Sequence, residues 1–246
     1  EEQSDVGGTW HINHYPGLSV DIDSVTYSYS FEPNPFWSRT FATGDELKRY
    51  ALHVAEKYDL RSLMRFGSLV EQAQYDEENH TWTVWCRDQA PITTRLLIVA
   101  TGYLSHPKIP ELKGLSSFKG KVMHTAKWEH DYDLHGKRAA IIGTGATSVQ
   151  LAPAIAPIVK HLSVFQRTPV WVMPKTDVPI PRAVQQLFYR LPVTQRLARY
   201  VSSGALEMLM VLAVLHYKEL PILARTAETI SKRFLNVQVK DKTLRQ

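Results

Sequence analysis

Gly136-Lys-Arg-Ala-Ala-Ile-Ile142, running directly into Gly143-Thr144-Gly145-Ala146-Thr147-Ser148, is the stretch that decides the fold. An apolar run delivered into a glycine turn reads as a buried parallel strand. Thr147 to Ile155 continues as a helix, and His161-Leu-Ser-Val-Phe-Gln166 makes the next strand. Together they form a β-α-β unit over residues 138–166. A Gly-x-Gly turn between strand and helix lets backbone N–H groups approach a pyrophosphate, which also sits at the positive end of the helix. Gly143 and Gly145 supply the first two glycines. Ser148 departs from the Gly or Ala of the third position but is small enough for close strand–helix packing. The spacing predicts a dinucleotide site.

The end of the second strand chooses the cofactor. A carboxylate there would accept from a ribose 2′-hydroxyl and repel a 2′-phosphate. The chain has Gln166-Arg167-Thr168 instead, and a guanidinium pairs with phosphate through two N–H donors. NADP is favoured over NAD. Taken alone, Arg167 also fits a solvated strand-end charge.

Working outward, Arg95-Leu-Leu-Ile-Val-Ala100 ends at Thr101-Gly102 and reads as another buried strand. Leu69 to Tyr75 and Thr81 to Cys86 read as two strands joined by the polar turn Asp76-Glu-Glu-Asn-His80. Gly44-Asp45 opens a helix carrying Leu47, Tyr50, Ala51, Val54 and Tyr58, with Asp45 as its cap. Residues 1–40 are loop-dominated. Beyond Arg182 the pattern is mostly helical, broken at Pro192 and Pro221, with Leu206 to Leu215 read as a buried helix too short to span a bilayer.

Composition narrows the class. The 246 residues are 44% hydrophobic and 22% charged, as in ordinary globular proteins. A net charge of +5 suits an anionic cofactor, and without a basic run it argues against nucleic acid. The single cysteine, Cys86, excludes a disulfide framework and a multi-cysteine metal site; it reads as a core thiol. No tight His/Asp cluster suggests a metal, and no transmembrane segment or signal peptide is visible. A cytoplasmic, reducing compartment is expected.

Phe118-x-Gly120-x-x-x-His124-x-x-x-Trp128 resembles the fingerprint of class B flavoprotein monooxygenases of the Baeyer–Villiger type. The next residue is Glu129, where that fingerprint usually has Pro or Asp. Val6-Gly-Gly-Thr9-Trp10, Tyr15-Pro16-Gly17, Asp21-x-Asp23-Ser24, Tyr27-Ser-Tyr29-Ser-Phe31 and Ala100-Thr101-Gly102 match as well. Position 14, often Arg in that family, is His14. The match runs from residue 6 to about 175, with Asp241-x-x-Leu244-Arg245 as a last familial trace.

The resemblance implies an α/β fold of two Rossmann-like dinucleotide-binding domains, both incomplete. Residues 1–133 would be a partial FAD-binding domain with the linker fingerprint at 118–129, and 134–246 a partial NADP-binding domain with a helical C-terminal part. It implies NADPH- and O2-dependent insertion of oxygen into ketones through a flavin C4a-peroxide. N- or S-oxygenation of soft heteroatoms, or a non-catalytic NADP-binding remnant, are the alternatives. Thr9, Trp10, Tyr27 and Val70 match FAD contacts. Gly143, Thr144, Gly145, Ala146, Thr147 and Gln150 match the NADP turn, with Thr168 joining Arg167 at the 2′-phosphate. Asp21, His124 and Trp128 carry over as the active-site set. Read as a residue alone, Asp21 equally fits a turn acid, and His124 a structural imidazole. The family's first Gly-x-Gly-x-x-Gly unit and its catalytic arginine have no counterpart here, so the resemblance implies a truncated gene product, a fragment, or one part of a split assembly whose complementary chain supplies the FAD unit, and the chain by itself is expected to be inactive.

Overall fold

The computed structural model describes residues 1–246 except 103, 105, 169, 171, 220 and 242–246, and no side chain at 213 or 214. Leu244 and Arg245 therefore lie outside the described residues. The chain forms two compact units: Glu1–Leu18 with Gly44–Asp133, and Ser19–Thr43 with Leu134–Gln246. The sequence reading placed residues 19–43 with the first domain; their packing is with the second unit.

In the first unit a short helix α1 (Thr9–Ile12) precedes α2 (Gly44–Lys57). Leu47, Tyr50 and Val54 recur at three- and four-residue spacing and, with Ala55, are the buried face of α2. Asp45 lies inside the first turn with Glu46, not at the cap, where both carboxylates complement the positive helix end. Gly44 donates its N–H to Leu18 O at 3.0 Å, and a Cβ at 44 would strike the Leu18 side chain. Strands β1 (Val70–Asp76), β2 (Thr81–Cys86) and β3 (Ile92–Thr94) form an antiparallel sheet in that order. Asp76 makes the β1–β2 turn: its carboxylate accepts from the N–H of Glu78 and Asn79 and from the Asn79 amide. Val84 and Cys86 point inward, and Cys86 is a buried free thiol.

The expected strand Arg95–Ala100 does not form. Leu96, Ile98 and Val99 are 74–86% exposed in an extended segment, and no described strand pairs with it beyond Thr94. An apolar run becomes a strand only where neighbouring strands accept its backbone hydrogen bonds.

The N-terminal segment is tied to α2 by charge. Asp5 accepts from Lys48 at 2.8 Å and from Arg61 at 3.0 Å, and Lys48 also donates to Val6 O. The Lys48 hydrogen bond leads the causes that hold the Asp5 carboxyl down at about 2, below its ordinary 3.8. A depressed carboxyl contributes stability above its unfolded value and loses it as pH falls toward the folded one. Asp5→Asn should cost up to about 1 kcal/mol at neutral pH. Its stability should also fall less steeply than wild type between pH 3.8 and about 2, followed by urea unfolding at stepped pH.

In the second unit β4 (Arg138–Ile142) and β5 (His161–Phe165) pair in parallel, Arg138 opposite His161 through Ile142 opposite Phe165. Helix α3 (Ala146–Ile155) joins them, burying Ser148, Leu151 and Ile155. Residues 19–43 wrap onto this unit around Trp37, which is 1% exposed, and Val20, Ser24 and Ala42. Arg39 pairs with Asp177 at 3.0 Å, and Lys175 donates to Ser19 Oγ and Val20 O. Helices α4 (Arg182–Arg190), α5 (Pro192–Met210) and α6 (Pro221–Gln238) follow, with one π turn at Val211–Leu215. The segment Leu206 to Leu215, expected as a buried helix, is helical but largely exposed, Met208 at 64% and Leu215 at 72%. No helix of the described residues is long and apolar enough to cross a membrane.

Candidate nucleotide-binding site

The residues between β4 and α3 are brought together by local geometry. Gly143 holds φ +111°, a region that L side chains rarely adopt, and donates its N–H to Phe165 O at 2.9 Å. That bond fixes the turn against the end of β5. Gly145 is the N-cap of α3 with extended backbone, and no side chain caps the helix. The leading N–H groups of a helix have no intrahelical acceptor, so the first turn of α3, from Ala146 and Thr147, offers donors to an anion. A Cβ placed on Gly143 or Gly145 would meet nothing within 4 Å, so the approach to those donors is open. Ser148, 8% exposed, sits on the inner side of α3.

Arg167 and Thr168 follow β5 and are both exposed. The Gln166 amide donates to Thr168 O at 3.1 Å, folding the strand end back on itself. Gln150, expected at the NADP turn, has a contact the sequence did not indicate. Its Nε2 donates to Ser19 O at 2.9 Å and its Oε1 accepts from Ser19 N at 3.3 Å, so the amide clamps the start of the 19–43 segment to α3.

The other candidates are distributed between the units. Thr9, Trp10, Val70, His124 and Trp128 fall in the first, and Asp21 and Tyr27 in the second. Thr9 is exposed in α1, behind Gly7 and Gly8, which both have positive φ. Trp10 is half-buried, and Val70 is 53% exposed at the start of β1. Asp21 is an exposed carboxylate and Tyr27 is 38% exposed.

The fingerprint segment is a folded loop with readable reasons for its spacing. A side chain at Gly120 would collide with the Phe118 ring, which lies over that backbone. His124 Nδ1 accepts from Ala126 N at 3.1 Å and caps the 3-10 turn Thr125–Lys127. As an acceptor that nitrogen is unprotonated, so the proton of the neutral ring is on Nε2. Trp128 is half-buried beyond the turn, and Lys121 pairs with Glu129 at 2.6 Å.

The sequence reading did not find two further contacts. His14 Nδ1 and His130 Nε2 share a hydrogen bond at 2.8 Å, joining positions 116 apart, and no local signal marks such a pair. Lys48 holds Asp5 and lies near His11, whose imidazole is pushed below its ordinary value by burial and then by Lys48. Among the described residues no group of three or more His, Cys, Asp or Glu is placed to hold a metal ion.

Comparisons with known proteins give the family. The family described as pyridine nucleotide-disulphide oxidoreductase matches residues 16–218. A Baeyer-Villiger monooxygenase of Streptomyces coelicolor is 42% identical over all of this chain and 46% of its own length. Among solved structures, an oxidized steroid monooxygenase bound to NADP superposes with a TM-score of 0.72 at 41% identity, covering 76% of this chain and 37% of that one. OTEMO in complex with FAD and NADP superposes with a TM-score of 0.70 at 38% identity, covering 77% and 38%. The chain thus spans under half the length of these relatives. The resemblance carried by the fingerprint and by Gly-Gly-Thr9-Trp10 is borne out.

Proposed function

Because the chain belongs to the pyridine nucleotide-disulphide oxidoreductase family, we propose that it is part of an NADPH- and O2-dependent FAD monooxygenase of the Baeyer–Villiger type. Ketones are its substrates. The observation that carries this reading is the open glycine turn between β4 and α3, with Arg167 exposed just past the end of β5.

The residues present fit NADP. Gly143, Thr144, Gly145, Ala146 and Thr147 would take the pyrophosphate on backbone N–H groups at the positive end of α3. Arg167, with the Thr168 hydroxyl beside it, would take the 2′-phosphate. Gln150 supports the turn from behind by holding Ser19. Thr9, Trp10 and Val70 of the first unit would contact FAD, and Asp21 and Tyr27 are the second unit's own candidates for it. His124 and Trp128 hold the linker in shape, His124 by its cap on Ala126. When bound, FAD and NADPH supply the redox chemistry: one atom of O2 enters the ketone, the other leaves as water, and NADPH provides two electrons. The 246 residues contain one Gly-x-Gly turn, used here for NADP. The FAD-binding glycine unit would come from sequence outside them, in the same polypeptide or in a complementary chain. A cytoplasmic location belongs to the same reading, since the lone Cys86 is a free thiol.

Arg167→Ala tests the assignment. A guanidinium–phosphate pair contributes about 1.5–3 kcal/mol, so NADPH affinity should fall roughly 10- to 150-fold by titration while NADH affinity stays unchanged. An unaltered preference for NADPH would remove Arg167 from the site.

A further inference from the structure

Helix α5 turns its polar side inward and its apolar side outward. Gln195, 3% exposed, donates to Asn34 O at 2.7 Å. Arg199 donates to Ser28 O at 2.7 Å and Val25 O at 3.2 Å, and Ser202 donates to the Asp23 carboxylate. These three residues share one helix face, and the 19–43 segment covers it. On the opposite face Val193, Leu197, Tyr200, Val201 and Met208 form a stripe, each 62–74% exposed. A surface helix normally shows the reverse arrangement, and an apolar stripe of this length marks an interaction surface.

The charges beside the stripe indicate what covers it. Arg196 and Glu207 are both exposed and lie on the same flank, with Thr194, Ala198 and Ala205 on the other. Two helices packed antiparallel bring like flanks together, whereas parallel packing sets one flank against the other. We propose that α5 packs antiparallel against α5 of a second copy of this chain, about a two-fold axis between Val201 and Ser202. That axis lies midway between Arg196 and Glu207, so each Arg196 meets Glu207 of the other copy, twice per interface. Gly204, whose outward side is open, leaves room for the second helix to approach near the crossing. The contact is isologous, and the stripe residues of both copies fill it.

Sedimentation of the chain over a range of micromolar concentrations tests this, with circular dichroism confirming that each variant is folded. Wild type should dimerise. Arg196→Glu and Glu207→Arg each place like charges together twice and should weaken the dimer at least tenfold, and the double swap should restore it. Val201→Cys, beside the axis, should give disulfide-linked pairs under mild oxidation with diamide. A monomeric wild type overturns the proposal. So does association that ignores the single swaps, a double swap that fails to recover, or a Val201→Cys variant that does not cross-link.

Discussion

Gly145→Asp should abolish NADP+ binding while leaving the fold as stable as before, or slightly more so. Gly145 has φ −71° and ψ −177°, extended backbone that any residue adopts, and its Cβ would meet nothing within 4 Å. Position 145 is the N-cap of α3, where Asp is among the preferred residues; relative to Gly it adds a few tenths of a kcal/mol. The same carboxylate would occupy the first-turn N–H groups and place a negative charge where the pyrophosphate should sit. NADP+ affinity should drop at least 100-fold, about 2.8 kcal/mol, by titration calorimetry. Gly145→Ala, which adds bulk without charge, separates the two causes and should weaken binding less. A Gly145→Asp protein that binds NADP+ like wild type would show that the cofactor does not use this helix end.

The largest stability effect is expected from Trp37→Ala. Trp37 is 1% exposed, and its carbonyl accepts from Gln185 at 3.1 Å. Removing a buried tryptophan side chain costs about 3–5 kcal/mol. The location of the loss matters as much as its size. Because residues 19–43 pack with residues 134–246, hydrogen exchange should accelerate in β4, α3 and α5 and leave the β1–β2 hairpin unchanged. Faster exchange in β1 and β2 instead would return the 19–43 segment to the first unit.

The parts of the fold legible in the sequence are those closed by near neighbours. The β1–β2 hairpin needs only alternation on either side of an Asp-led turn, and Asp76 satisfies that turn with its own carboxylate. The β4–α3–β5 unit is similarly contiguous. The cap was misplaced by two positions, because the helix begins on Gly44 and Asp45 falls inside its first turn. Gln150 is visible in the sequence by its position in the turn motif, whereas its bond to Ser19, 131 residues away, has no local signal.

By itself, then, the sequence determined the glycine turn between β4 and α3. The left-handed φ at Gly143, the small inner residue Ser148 and the open cap at Gly145 are properties of adjacent residues. Tertiary structure decided which unit takes residues 19–43, that Arg95–Ala100 stays extended, and which face of α5 looks outward. Each of those depends on the surface opposite, since a chain segment carries its own hydrophobicity but not the hydrogen-bond partners or cover that give it a place.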